Sequence, residues 1–242
     1  MLEGNKQKII AHAAECYPRE SCGLLLAKPG GKEIYFPCRN LAEGDENFIL
    51  HPEDYVTAEE QGRIIAIVHS HPNASPKPSQ ADLVACESTR LPWYIISYPT
   101  CEFHRFEPKG YKAPLIGREF FHGVLDCYTL IRDWYEWERN ITLPDFERRD
   151  QWWRKGENLY MENFEKAGFR KLPPGAVLQE GDVLLMQVLS NVANHSAIYL
   201  GDDIILHHLY GRLSQREVYG GYYKKHCIAV LRYGIEEGNI NG

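Results

Sequence analysis

Two histidines one residue apart follow an apolar run in the first half of the chain. The run Ile64-Ile65-Ala66-Ile67-Val68 leads into His69-Ser70-His71-Pro72, and Asp82 follows after a short loop. Side chains alternate between the two faces of a strand, so His69 and His71 can point to the same side. Two imidazoles and a carboxylate suit zinc, which in hydrolases keeps a fourth position open for water. We therefore predict a zinc site formed by these three residues.

The segment Ser79-Gln80-Ala81-Asp82 has the form of a helix N-terminus. Ser79 can cap the helix, and Asp82 lies at the position where a capping box has its acidic residue. From the first turn, Asp82 can also reach back to the histidines. The residues leave two roles open for Ser79: it acts only as a cap, or it also donates to charge that develops near the metal.

A second group with chemical potential begins at Asp126-Cys127. Asp126 is a good N-cap, and Cys127 then lies in the first turn of a helix whose apolar residues recur at helical spacing: Leu130, Ile131, Trp134 and Trp137. A helix N-terminus lowers the pKa of a thiol, and the thiolate is the nucleophile in cysteine catalysis. The alternative is an ordinary buried cysteine.

Two downstream histidines could serve that cysteine. His195 and His207 are equally far from Gly201, so in a β-hairpin centred there they would face each other across the strands. One could then act as the base and the other could orient it. His208 should point to the other face of its strand. The alternative for His195 alone is an ordinary histidine in a strand.

The elements that must position these residues follow from periodicity and turn signals. In the first half we predict helices at 6–16, 52–61 and 79–89 and strands at 21–27, 33–37, 64–68, 93–98 and 102–106. In the second half we predict helices from 126 and at 157–167, a strand at 181–188 and the hairpin at 195–207. A polar segment with Pro and Gly separates the halves. The predicted domains are 1–107 and 117–242, joined by a linker at 108–116.

Composition excludes several functional classes. The chain has 242 residues and a formal net charge of −6, without a block of basic residues, so we expect no nucleic-acid partner. Its apolar runs are far shorter than the ~20 residues that span a bilayer. The N-terminal residues lack the pattern of a secretory signal, so we expect synthesis in a cytoplasm. The seven cysteines contain no Cys-x-x-Cys pair and are expected to be reduced.

The first group of residues resembles the motif of the JAMM (MPN+) zinc metalloproteases. That motif has a glutamate upstream, then His-x-His-Pro, then Ser and Asp, here Glu20, His69-Ser70-His71-Pro72, Ser79 and Asp82. The resemblance implies an α/β sandwich over about 1–107. It implies Glu20 as general base and acid, His69, His71 and Asp82 as zinc ligands, and Ser79 as a donor to the oxyanion. Spacing alone does not select Glu20.

The second group resembles the NlpC-type cysteine peptidases, a papain-like family that cleaves peptide bonds in peptidoglycan stems. The matching segments are Asp126-Cys127, 194–201 and 205–207. The resemblance implies Cys127 as nucleophile, His195 as base and His207 as orienting residue. Many members have Ser-Gly after the cysteine, whereas this chain has Tyr128-Thr129, which is expected to change the floor of the cleft. The fold class is thus α+β with two domains.

The order of the two domains resembles the tail assembly protein K family of lambda-like siphophages. This implies a protein of the virion tail tip, or a factor in its assembly, made in the host cytoplasm. Its expected partners are other tail-tip proteins and, as substrate, peptidoglycan peptides cut during penetration of the host wall. Two alternatives remain open: a structural assembly protein with latent sites, and a protease that processes tail proteins.

Overall fold

The computed structural model of the chain describes residues 3–44, 47–149 and 151–234. The chain folds into two compact units, Met1–Lys112 and Ala113–Gly242. Each unit combines helices with one sheet, so the predicted α+β class with two domains is confirmed. Among the described residues, no helix is long and apolar enough to cross a bilayer.

The first unit is a five-stranded sheet with three helices. Along the chain these are α1 (Glu3–Cys16), β1 (Cys22–Ala27), β2 (Glu33–Cys38), α2 (Pro52–Gln61), β3 (Arg63–Pro72), α3 (Gln80–Thr89), β4 (Trp93–Tyr98) and β5 (Phe103–Phe106). The strand order is β2-β1-β3-β4-β5. Only β3 and β4 are parallel neighbours, and α3 provides the crossover that such a pair requires.

Helices cover both faces of this sheet. Side chains of α2 and α3 pack on the face that carries Leu24 and Ile67, whereas Ile9 and Ala13 of α1 pack on the face that carries Val68. The central strands are therefore buried on both sides, which explains their nearly continuous apolar sequence. His69 and His71 share the face of Ile67, the face on which α3 lies.

The second unit has a six-stranded antiparallel sheet. Its elements are α4 (Cys127–Arg139), a 3₁₀ turn (Trp152–Arg154), α5 (Leu159–Asn163), β6 (Phe169–Lys171), β7 (Val183–Met186), β8 (His195–Gly201), β9 (Ile204–His207), β10 (Gln215–Val218), α6 (Gly221–His226) and β11 (Cys227–Tyr233). The strand order is β10-β9-β8-β7-β11-β6. The apolar stripe of α4 packs on β7, β8 and β9 to form the core.

The structure corrects several predicted boundaries. β3 continues through Pro72, so both histidines lie within the strand and not beyond its end. The helix predicted at 157–167 is regular only over Leu159–Asn163, and its N-cap Asn158 makes no capping hydrogen bond. The predicted strand at 181–188 is regular only over Val183–Met186; Gly181, with φ of +95°, lies before it in a left-handed conformation.

The register of the β8–β9 hairpin also differs from the prediction. Ala197, and not His195, lies opposite His207, because Asp202 and Asp203 form the turn and the hairpin is therefore not centred on Gly201. His195 is therefore a diagonal neighbour of His207 on the same face of the sheet, a separation that aromatic-sized side chains can bridge.

Candidate functional sites

The first unit brings the three predicted metal ligands together. His69 Nε2 lies 3.1 Å from His71 Nε2 and 3.1 Å from Asp82 Oδ1, and His71 Nε2 lies 3.4 Å from Asp82 Oδ2. One potential ligand atom from each residue falls within 4.8 Å of the others. β3 supplies both imidazoles, and the first turn of α3 supplies the carboxylate. This donor set is consistent with a metal site.

Contacts behind the ligands orient the two imidazoles. His71 Nδ1 lies 2.8 Å from the carbonyl oxygen of Ser75, so in the neutral ring Nδ1 carries the proton and Nε2 presents a lone pair to the site. Phe48 stacks on the His69 ring at 4.8 Å, and Trp93 meets it edge-on at 5.5 Å between centroids. The donor atoms therefore converge by packing of the protein, which is what a resident metal ion needs.

The electrostatics favour an ionised Asp82. Burial opposes ionisation, but the charge of His69 and hydrogen bonds from His69, His71 and Ser79 outweigh it, so the pKa of Asp82 lies far below its ordinary value. Burial lowers the pKa of His71, but its bonds to Asp82 and to the Ser75 carbonyl prevail and the net shift is upward. Asp82 is thus an anion at any moderate pH.

Ser79 has the predicted cap geometry. Its backbone N–H and its hydroxyl both donate to Asp82 Oδ2 at 2.7 Å, and Ser79 Oγ accepts from the backbone N–H of Asp82 at 3.1 Å. This reciprocal capping box satisfies backbone donors that the helix itself cannot. It also fixes the carboxylate that faces the histidines. The hydroxyl proton of Ser79 is engaged with Asp82.

Glu20 lies beside the metal ligands, although it is distant in sequence. It precedes β1, whose neighbour in the sheet is β3, and Ser21 N–H donates to Ser70 Oγ at 2.8 Å. The Glu20 side chain is buried, and burial raises the pKa of its carboxyl to about 7, although the charges of His69 and His71 lower it. Such a group can both take up and release a proton near neutrality.

In the second unit, Cys127 is the first residue of α4, as predicted. Asp126 caps the helix, since its Oδ1 accepts from the backbone N–H groups of Tyr128 at 3.1 Å and Thr129 at 2.9 Å. Arg148 Nε donates to the other oxygen at 2.7 Å, and both side chains are almost completely buried. Gly123 N–H also donates to Oδ2 at 3.0 Å, so the buried carboxylate has a cation and three backbone amides as partners.

His195 and His207 meet despite the shifted register. His195 Nε2 lies 3.1 Å from His207 Nδ1, and both rings are buried. Cys127 and His195 border one cavity of about 320 Å³. Its aromatic wall residues include Phe120, His122, Trp152, Trp153, Tyr160, His208 and Tyr210. The structure thus brings Cys127 and His195, which are far apart in the sequence, to the same cavity.

Two residues at this site were missed or set aside by the sequence interpretation. The Tyr160 hydroxyl lies 3.1 Å from Cys127 Sγ, and neither spacing nor periodicity indicates this contact. His208, which was expected to point away, is fully buried and lines the same cavity, where its ring meets Phe120 edge-on at 5.0 Å. Only the folded chain places either residue near the thiol.

The cysteine and the histidine are neutral in the resting site. Burial raises the pKa of the Cys127 thiol and Asp126 adds to this, against hydrogen bonds from Tyr160 and Ser196. The lowering expected at a helix N-terminus is thus outweighed by desolvation. Burial, with smaller contributions from His207 and His208, lowers the pKa of His195 to about 3. At neutral pH the site holds a thiol and an uncharged imidazole.

Comparison with known proteins identifies both units. Residues 3–107 match the family of prokaryotic homologs of the JAB domain, and residues 117–232 match the NlpC/P60 family. Tail tip assembly protein K of Escherichia phage N15 is 43% identical over 236 residues, which cover 96% of this chain and 95% of that protein. The protein of the same name from Escherichia phage lambda is 44% identical over 184 residues, covering 76% and 89%.

A crystal structure of a JAB1/MPN domain protein from Archaeoglobus fulgidus aligns with 46% of this chain and 91% of its own. The identity is 22% and the TM-score is 0.30, too low to bear on function.

Arg148→Ala tests the support beneath Cys127. The substitution leaves the Asp126 carboxylate buried without its cation, and loss of one partner of a buried ion pair costs about 3–5 kcal/mol. We expect the free energy of unfolding to fall by that amount in chemical denaturation. Arg149→Ala is the matched control, because the Arg149–Glu147 pair is exposed and exposed ion pairs add little to stability. Equal effects of the two substitutions would contradict this role of Arg148.

Proposed function

The chain belongs to the tail tip assembly protein K family of lambda-like phages, and from this premise we propose that its second unit is a cysteine peptidase acting on bacterial peptidoglycan. It is a tail tip assembly protein with a JAB domain followed by an NlpC/P60 domain. Membership of the second unit in the NlpC/P60 family suggests a peptidase. The substrate follows from the resemblance to cell-wall peptidases.

The observation that carries this proposal is the shared cavity of Cys127 and His195. The cavity, at about 320 Å³, can take several atoms on each side of a scissile peptide bond. The nucleophile and the base both reach it, and His207 lies behind the base at 3.1 Å. The replacement Tyr128 donates to the Pro144 carbonyl and packs on Phe146, so it does not form the floor of this cavity.

The chemistry follows from the charge state of the pair. As Cys127 Sγ attacks the carbonyl carbon of the peptide bond, its proton passes to His195, and the resulting imidazolium is oriented by His207. His195 then returns the proton to the leaving amine, and a thioester to Cys127 remains. Water hydrolyses the thioester and restores the thiol. The Tyr160 hydroxyl is placed to donate to sulfur as negative charge develops there.

For the first unit we propose a zinc metallopeptidase site held by His69, His71 and Asp82. Zinc in such a set acts as a Lewis acid and makes water a nucleophile near neutral pH. Glu20, with a pKa raised to about 7, is proposed as the base and acid. Ser79 is proposed as the oxyanion donor, which requires its hydroxyl to turn away from Asp82.

The two units are proposed to act at different stages of the phage cycle. Peptidoglycan hydrolysis would serve entry through the host wall from the virion tail tip, after synthesis in the host cytoplasm. The metallopeptidase would process a tail protein, and other tail-tip proteins are accordingly its proposed partners. Sequence identity with two proteins named for tail tip assembly supports this second role.

Incubation of the purified protein with sacculi tests the cysteine site. We expect release of soluble muropeptides, detected by liquid chromatography and mass spectrometry, and a loss of at least about 1,000-fold in Cys127→Ala because the nucleophile is gone. Cys227→Ala, a substitution in the same unit outside the cavity, should retain activity. Release by Cys127→Ala at the rate of the unsubstituted protein would contradict the cysteine mechanism.

Metal analysis tests the first unit. Protein purified without chelator should contain about one zinc ion per chain by plasma mass spectrometry, because three converging ligands suffice for a hydrolytic zinc site. His71→Ala should lose it. His104→Ala, which removes an imidazole of β5 that is not among the ligands, should keep it. Zinc retained by His71→Ala, or absent from the unsubstituted protein, would rule out the proposed ligand set.

A further inference from the structure

Glu217 extends the histidine pair of the second unit by one more residue. It lies on β10, which pairs with β9 so that Gln215 is opposite His207. Residues two apart on a strand share a face, so Glu217 lies on the same face as His207. Glu217 Oε2 is 3.5 Å from His207 Nε2, whereas the other ring nitrogen, Nδ1, contacts His195. No motif in the sequence marks this glutamate.

Neighbouring donors hold the carboxylate in place. Gln215 Nε2 donates to Oε1 at 2.5 Å, the Tyr223 hydroxyl donates to Oε2, and an Arg212 guanidinium nitrogen is 3.9 Å from Oε1. The Tyr223 ring also packs edge-on against the His207 ring, with 4.9 Å between centroids. Glu217 is therefore tied both to its own strand and to α6, and it presents an acceptor to the buried imidazole.

This arrangement determines where the imidazole protons lie. His207 Nε2 is buried and has no other hydrogen-bond partner among the described residues, and the carboxylate of Glu217 lies within ion-pair distance of it. A carboxylate only accepts, so the favourable form of His207 carries its proton on Nε2. Nδ1 of His207 then accepts, and His195 Nε2 must donate to it. The remaining lone pair of His195 is on Nδ1, the nitrogen that is left to act as the base.

We propose that Glu217 is a positioning residue that sets the tautomers of both histidines, so that His195 holds its free lone pair on Nδ1. This rests on the proposed cysteine-peptidase function. Without the carboxylate, the pair can reverse, with His207 Nδ1–H donating to His195 Nε2. His195 then carries its proton on Nδ1 and cannot accept one there from Cys127. A carboxylate that fixes the tautomer of a catalytic imidazole is effective for the same reason in serine proteases.

Nitrogen NMR of the ¹⁵N-labelled full-length chain tests the proposal without any substrate. Long-range ¹H–¹⁵N correlation spectra distinguish the two imidazole tautomers, and spectra of His207→Asn assign the signals. We expect His195 and His207 to carry their protons on Nε2 in the unsubstituted protein. A neutral His207 with its proton on Nδ1 would overturn the proposal, whatever the activity of the enzyme.

Substitutions of Glu217 then test whether the tautomers of the two histidines determine the rate of catalysis. Glu217→Ala should give a detectable Nδ1–H form at His207 and lower kcat on muropeptides about tenfold to a hundredfold, with little change in KM. Glu217→Asp, which keeps a carboxylate, should restore part of the Nε2–H population at His207 and part of kcat. Arg216→Ala is the matched control, since its side chain is exposed on the same strand. Glu217→Ala with unchanged tautomers and unchanged kcat would contradict the proposal.

The measurements separate this proposal from the peptidase proposal. Nε2 protonation of both histidines in a protein that releases no muropeptides would support the role of Glu217 while refuting the enzyme. An active enzyme with His207 protonated on Nδ1 would support the peptidase proposal and refute the role of Glu217. Glu217→Gln keeps the side-chain volume if Glu217→Ala fails to fold, and loss of the single Nε2–H form in that variant supports the proposal.

Discussion

The buried ion pair of Asp126 and Arg148 is the constraint on which the cysteine site depends. One oxygen of Asp126 caps α4 and the other binds Arg148, so the start of the helix and its first residue, Cys127, are fixed together. Because neither charge is exposed to solvent, each requires the other. The Cys127 thiol next to this pair is buried as well. The ion pair therefore sets the position of Cys127, and burial sets the resting protonation state of its thiol.

The candidate metal site of the first unit is positioned in a similar way. Asp82 lies in the first turn of α3, closes the capping box with Ser79 and presents its carboxylate to His69 and His71. In both units an aspartate that the local backbone needs at a helix N-terminus also serves the candidate site. A substitution of either aspartate would therefore affect stability and chemistry together, and loss of function in such a variant would not assign a catalytic role.

Local rules predicted much of this chain. The helix at Pro52–Gln61 has the predicted bounds, and the caps at Ser79 and Asp126 are as expected, because they depend on residues adjacent in sequence. The predicted register of His195 against His207 was wrong, because alternation alone does not show that the turn is formed by Asp202 and Asp203 and not centred on Gly201. Tyr160 and Glu217 were not predicted as site residues, because only the folded chain brings them to Cys127 and His207. The short, polar strands β6 and β10 were missed because they carry no strand pattern, whereas β11 was missed although it contains the apolar run 227–231.

In the proposed mechanism, burial keeps Cys127 a neutral thiol until His195 removes its proton during attack. The pH profile of iodoacetamide alkylation tests this most directly, measured at Cys127 by peptide mass spectrometry with partly exposed Cys101 as the reference thiol. Because the pKa of Cys127 is raised, its alkylation rate should be low at pH 7 and still rise above pH 9. Fast alkylation that is independent of pH from 6 to 9 would indicate a preformed thiolate and contradict the account.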